Sequence, residues 1–193
     1  MKTLYLMRHG ETLFNVRHKI QGWCDSPLTD NGIRQAKAVG EMLKDIPFDH
    51  YYSSTAERSC DTLECVVGQV NYTRLKGLKE RNFGIFEGES EDLHPRLSNG
   101  RVDFDNVYPV YFGGETSEQV ARRLRTTLED IMEQDDHQIV LAVSHAGACM
   151  GFLSTVLSPE DMHRFRMGNC TVLKLSYDNH TFTLEDVMTP EVK

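Results

Sequence analysis

The chain reads as an α/β protein, a three-layer α/β/α sandwich with a mostly parallel central sheet and an antiparallel edge strand or hairpin at its C-terminus. Three observations predict it. Two short runs, Thr3 to Met7 and Gln138 to Val143, carry the near-continuous apolar character of strands covered on both faces. Between and after them apolar residues recur at helical spacing, which supplies the crossovers that parallel strands need. Last, Thr171 to Tyr177 and Thr181 to Val187 alternate around Asp178-Asn179-His180 as a hairpin does.

Taken in order, the first strand stops at Arg8-His9-Gly10-Glu11-Thr12, so it delivers an arginine and a histidine to a loop. Residues Phe14 to Pro27 are polar and read as loop. Thr29 or Asp30 then caps a helix with Ile33, Ala36, Gly40 and Leu43 on one face, ending near Ile46-Pro47 because proline disfavours helix in the residue before it. Phe48 to Tyr52 is a short second strand delivering Ser53-Ser54-Thr55. The helix behind it shows Cys60, Leu63 and Val67 on one face and Arg58 in its first turn. Val70 to Leu75 is a weaker strand that runs into Lys79-Glu80-Arg81.

From about residue 87 to 114 periodicity disappears. Long irregular stretches inside a compact domain are usually lids or binding loops, so this segment is expected to cover the site, with a short helix near Glu91 to Leu97 and with Tyr108, Tyr111 and Phe112 stacking on a substrate or packing the lid. Thr116-Ser117-Glu118-Gln119 has capping-box spacing ahead of a helical stripe of Val120, Leu124, Leu128 and Ile131. The strand ending at Val143 runs straight into Ser144-His145-Ala146-Gly147, before a helix from about Cys149 to Leu157. Ser158-Pro159 starts a further short helix.

Composition narrows the function. At 193 residues, with 39% apolar and 26% charged residues and no composition break, the expectation is a single domain over 1–193 carrying the 87–114 lid. A net charge of −8 without a Lys/Arg cluster argues against nucleic-acid or anionic-membrane partners. Five cysteines, odd in number and without a CxxC pair, suggest neither a disulfide framework nor a zinc site and fit a reducing cytoplasm. The apolar run ending at Arg8 is too short for a signal peptide, and no stretch approaches the ~20 apolar residues of a membrane span. Oligomeric state has no signature.

Three strand ends thus present Arg8 with His9, Arg58, and His145, and in a parallel sheet those ends share one edge, where ligands of open α/β sheets bind. Two guanidinium forks suit a tetrahedral oxyanion, which makes phosphate the natural ligand. A neutral imidazole among them is a competent nucleophile, since its unperturbed pKa of about 6.5 leaves a lone pair free at neutral pH. Glu80, just beyond another predicted strand, is placed to protonate the departing oxygen and later to activate water.

These residues stand within a longer ordered set: Arg8-His9-Gly10-Glu11-Thr12, Asn15, Gln21-Gly22, Asp25-Ser26-Pro27-Leu28-Thr29, Gly32, Ser53-Ser54 with Arg58 and Thr62, Leu78-Lys79-Glu80, Gly84, Glu87-Gly88, Gly113-Gly114-Glu115-Thr116, and Ser144-His145-Ala146-Gly147. The set, spread over roughly residues 3 to 152, resembles the histidine phosphatase superfamily, to which phosphoglycerate mutases belong. The resemblance implies His9 as the phosphorylated nucleophile, Glu80 as proton donor, and Arg8, Arg58 and His145 as phosphoryl ligands aided by Asn15 and Gln21. It also implies no metal or nucleotide cofactor. One departure is Ala146, where the family commonly has glycine; its methyl should be tolerated while tightening the pocket floor.

The expected activity is hydrolysis of a small phosphorylated metabolite. Mutases of the family typically follow the glutamate with an Arg-His-Tyr-Gly type sequence and carry a longer, more basic insertion. Here Glu80 precedes Arg81-Asn82-Phe83-Gly84, and the lid holds only Arg96 and Arg101 as cations. A phosphoglycerate mutase is the alternative, and a non-catalytic phosphate-binding module a weaker one.

Overall fold

Along β1 (Lys2–Arg8) the buried side chains alternate, Leu4 and Leu6 packing on one side of the sheet and Tyr5 and Met7 on the other. The computed structural model describes residues 1–106 and 113–191 and sets this strand inside a six-stranded sheet. The other strands are β2 (His50–Ser54), β3 (Thr73–Leu75), β4 (Ile139–Ser144), β5 (Val172–Asp178) and β6 (Thr181–Met188). Their order is β3-β2-β4-β1-β5-β6: the first four are parallel, and β5 runs antiparallel to both β1 and β6. The predicted architecture is therefore present.

Each face of the sheet has its own core. On one side α4 (Ser117–Met132) and α5 (Ala146–Leu153) bury Val120, Leu124, Leu128 and Phe152 against Leu4, Leu6 and Val140. On the other, α2 (Asp30–Leu43) and α3 (Glu57–Val67) bury Ala36, Val39, Leu43 and Leu63 against Tyr5, Met7, Leu141 and Val143. The caps form as the sequence dictates. Thr29 accepts from the Gly32 amide, and Thr116 and Gln119 complete a reciprocal capping box at α4.

Several boundaries differ from expectation. A four-residue helix, α1 (Leu13–Val16), stands within the stretch read as loop, because Thr12 and Asn15 cap it reciprocally. Strand β3 shortens to Thr73–Leu75, where pairing with β2 is available. Helix α5 starts at Ala146 and not near Cys149, with His145 as its extended N-cap. The segment near Glu91 forms one 3₁₀ turn, Glu91–Leu93, in place of a longer helix. The short helix after Ser158 is α6 (Pro159–Met162). Tyr108, Tyr111 and Phe112 lie outside the described residues. Among the described residues no helix is long and apolar enough to cross a membrane.

Candidate active site

Pairing of β1 with β4 sets Arg8 opposite Ser144, so the two histidine-bearing loops leave the sheet side by side, tied by His9 N–H donating to the Ser144 carbonyl at 3.1 Å. Their rings meet edge-on, centroids 5.2 Å apart. The His9 loop also presses on the start of α2: a Cβ on Gly10 would sit 2.7 Å from the Gly32 carbonyl oxygen, so no side chain fits there.

His9 is 3% exposed, and its Nδ1 lies 2.7 Å from the Gly10 carbonyl oxygen. A carbonyl can only accept, so Nδ1 carries the proton and the Nε2 lone pair is left for the cleft that His9 lines. Burial, reinforced by the charges of Arg58 and Arg8, holds this imidazole well below its ordinary pKa. The ring is therefore neutral at pH 7.

His145 is fully buried and also held well below its ordinary pKa, first by burial and then by Arg58. Arg58 donates to its Nδ1 at 3.0 Å, which assigns the proton to Nε2, 2.8 Å from Ser54 Oγ. The remaining Nη donors of Arg58 go to the Gly22 and Cys24 carbonyls, both at 2.8 Å, and to Asp25 at 2.9 Å. Arg8 donates to the Met167 carbonyl at 2.7 Å. The Nε atoms of both arginines are buried with no acceptor among the described residues, which is rare for buried N–H groups and suits an anion-binding cleft.

Glu80 is 9% exposed and accepts three backbone N–H groups: Arg81 and Ala148 at 2.8 Å and Gly147 at 2.9 Å. Two of these donors belong to the first turn of α5, so the start of that helix fixes where the carboxyl sits. A Cβ on Gly147 would fall 2.6 Å from Glu80 Oε1, so glycine there is what lets the carboxylate approach. Ala146, by contrast, lines the cleft with its methyl, as the sequence suggested.

The cleft has a volume of about 160 Å³ and brings together Arg8, His9, Asn15, Gln21, Arg58 and Glu80. His145 lies behind Arg58 and adjoins His9. Asn15 is engaged through Oδ1 with the Thr12 amide and Asn169. Gln21 spends its amide nitrogen on Thr12 at 3.0 Å and Ser26 at 2.7 Å, so its side chain braces the loop that carries Gly22 and Cys24. Lys19, Ile20, Phe83, Glu91 and His94 complete the wall, none of them anticipated. Larger hollows of about 490 and 570 Å³ flank α2 and α3, but no histidine or arginine lines either.

Sequence reasoning also missed the supports behind the clamp. Ser54 and Asp25 belong to the quoted motif set, so a signal existed. Met167 and Asn169, which hold Arg8 and the His9 carbonyl, had none, because only the antiparallel pairing of β5 with β1 brings residues so distant in the chain to that loop. Among the described residues one group has metal-ligand chemistry: His50, Asp136 and His137, at the opposite end of the sheet. The imidazoles stack at 3.6 Å and 7°, so their in-plane lone pairs run in parallel planes and do not converge on one ion.

A family model for the histidine phosphatase superfamily (branch 1) matches residues 4–189. A protein of Proteus mirabilis (strain HI4320) named probable phosphoglycerate mutase GpmB is 34% identical over 191 residues, covering 93% of this chain and 86% of that one. Among solved structures, phosphoserine phosphatase from Entamoeba histolytica in complex with 3-phosphoglyceric acid superposes with a TM-score of 0.82 at 28% identity, covering 99% of this chain and 98% of the other. Phosphoglycerate mutase from Bacillus anthracis gives a TM-score of 0.79 at 29% identity over 95% of this chain and 91% of the other.

Proposed function

The chain belongs to the histidine phosphatase superfamily, and from that premise we propose that it is a phosphomonoesterase acting on a small phosphorylated metabolite through a phosphohistidine on His9. The observation that carries this reading is the state of the His9 ring, with Nδ1–H committed to the Gly10 carbonyl and a neutral Nε2 toward the cleft. In the first step the Nε2 lone pair forms a bond to phosphorus. The P–O bond breaks with its electron pair going to the leaving oxygen, which takes the proton of the Glu80 carboxyl. Water then attacks phosphorus, gives its proton to Glu80, and the P–N electron pair returns to Nε2. Arg8 and Arg58, backed by His145 and flanked by Asn15, neutralise the equatorial oxygens in both steps.

Hydrolysis is favoured over mutase chemistry because, beyond Arg8 and Arg58, Lys19 is the one other Lys or Arg among the described residues lining the cleft, and it is already bonded to the Gly88 carbonyl at 2.8 Å. A mutase needs further cations to hold the carboxylate of its phosphoglycerate while the phosphoryl group moves. The mutase reading keeps its place through the names of the relatives. A compact substrate is supported by the small cleft, and a free metabolite in preference to nucleic acid or membrane by the net charge of −8. In this reading residues 1–193 form one catalytic domain working in the cytoplasm, with a lid at about 87–114, of which residues 107–112 lie outside the described residues.

The test is incubation with p-nitrophenyl phosphate and acid quench. Acid-labile phosphate on His9, absent from His9→Ala, supports the enzyme. A wild type no more active than His9→Ala overturns it in favour of a binding module. A panel of phosphorylated metabolites then separates release of inorganic phosphate from formation of an isomer.

A further inference from the structure

Glu80 sits on a loop with little regular structure of its own, bounded by the 3₁₀ turns Lys76–Leu78 and Gly84–Phe86. Besides the amides that hold its carboxyl and the Trp23 Nε1–H that donates to its carbonyl at 2.8 Å, a side chain on α4 ties down the backbone on both sides of it. Arg123 donates through Nη1 to the carbonyls of Gly77 at 2.9 Å and Lys79 at 2.8 Å, and through Nη2 to the carbonyl of Glu80 itself at 3.1 Å. The other edge of the guanidinium forms a two-point pair with Glu115, Nε to Oε1 at 2.8 Å and Nη2 to Oε2 at 2.7 Å. Both side chains are about four-fifths buried, at 20% and 19% exposure.

Glu115 closes the circuit from the far side of Glu80. Its Oε2 accepts the Asn82 amide at 2.9 Å, and its own amide donates to the Asn82 carbonyl at 2.9 Å. Arg81, next to Glu80, donates to the Glu115 carbonyl at 2.8 Å. Gly77 lies so close to Thr127, one turn further along α4, that a Cβ there would collide with it. Backbone atoms on both sides of Glu80 are thus hung on one ion pair.

Building on the phosphatase reading above, we infer that Arg123 and Glu115 are positioning residues for the general acid: they hold the 77–82 loop so that the Glu80 carboxyl faces the leaving oxygen. Neither touches the cleft. Only a fork with five donors satisfies this geometry, since a lysine ammonium cannot make the two-point pair and hold three carbonyls at once. A pair whose task is solely to stabilise the fold would slow all substrates alike when weakened. One that aims an acid matters most where the leaving group needs its proton.

The experiment compares two esters, p-nitrophenyl phosphate, whose phenolate leaves without protonation, and glycerol 2-phosphate, whose alkoxide does not. Kinetics are measured for wild type, Arg123→Lys, the near-isosteric Glu115→Gln, and Glu80→Gln as the benchmark for loss of the acid. General acid catalysis is worth about 10²–10⁴, so partial misplacement should change the alkyl-to-aryl ratio of kcat/KM, which reports the step that expels the leaving group, by roughly tenfold or more in Arg123→Lys and Glu115→Gln, in the same direction as Glu80→Gln. An equal fall of kcat/KM for both esters in a folded variant, or no fall, overturns the positioning role. If Arg123→Lys does not fold, Glu115→Gln decides alone. A Glu80→Gln enzyme with no leaving-group dependence overturns instead the assignment of Glu80 as the acid, and a wild type inactive on both esters overturns the phosphatase reading itself.

Discussion

Arg58 donates to Nδ1 of His145 across 3.0 Å, in a place where each residue is at most 1% exposed. A guanidinium cannot give up its proton, so this contact fixes the histidine as neutral and sets its tautomer. It also makes the two residues one unit of the clamp. Arg58→Lys keeps the charge but loses the contacts to Gly22, Cys24, Asp25 and His145 that aim it. Removal of one oriented donor to a developing oxyanion costs about 10²–10³ in kcat, and that loss is expected here in steady-state assays. A rate within twofold of wild type would show that charge alone suffices.

Gly147→Ala places a methyl 2.6 Å from Glu80 Oε1 and displaces the carboxyl from the first turn of α5. Displacement of a reacting group by about 1 Å can cost 10²-fold, so kcat should fall by about that factor while the fold persists. Gly151→Ala in the same helix serves as the control. Its Cβ meets nothing closer than 3.4 Å, and it should leave kcat near wild type while raising the melting temperature slightly.

Stability should weaken on mild acidification. His9 and His145 have folded pKa values well below the ordinary one, so the unfolded chain takes up protons near pH 6.5 while the native state does not. The stabilisation is complete above that pH and declines as pH falls toward the native pKa values, by about 1.4 kcal/mol per pH unit for each histidine. The lowered carboxylates Glu133 and Asp136 act in the same direction only in a more acidic window. Urea midpoints at pH 7.5, 6.5 and 5.5 should drop between the last two, and the His9→Gln, His145→Gln double variant should flatten that step. A midpoint rising with acid would contradict it.

Phe152 is fully buried between α5 and the sheet and meets Phe182 edge-on at 5.1 Å. Phe152→Ala should lower the unfolding free energy by about 3–5 kcal/mol, read from denaturant titration. The clamp lies at the strand ends, so the fraction still folded should retain kcat near wild type.

Much of this was readable from the chain because the relevant signals are local. The Thr116/Gln119 capping box, the stripe on α4 and the two strand-to-histidine junctions each lie within one short window, and each forms as written. What escaped depends on tertiary partners. The α1 turn exists because Thr12 and Asn15 bond each other in a segment too short to show periodicity. The brace of Arg8 by Met167 and of His9 by Asn169 depends on β5 lying beside β1, which no local pattern announces. Arg123 stands outside the apolar stripe of α4 and carries no local signal of a role, and only the folded loop at 77–82 shows what its fork holds.

The place of β1 between β4 and β5 has a consequence for the protein's birth on the ribosome. The strand that carries His9 is made well before either of its neighbours, which come from residues 139–144 and 172–178. Chains emerge N-terminus first, so β1 must wait, apolar and unpaired, until both of these later segments have been made. Any partial chain that ends before β5 therefore lacks one flank of the strand that carries His9.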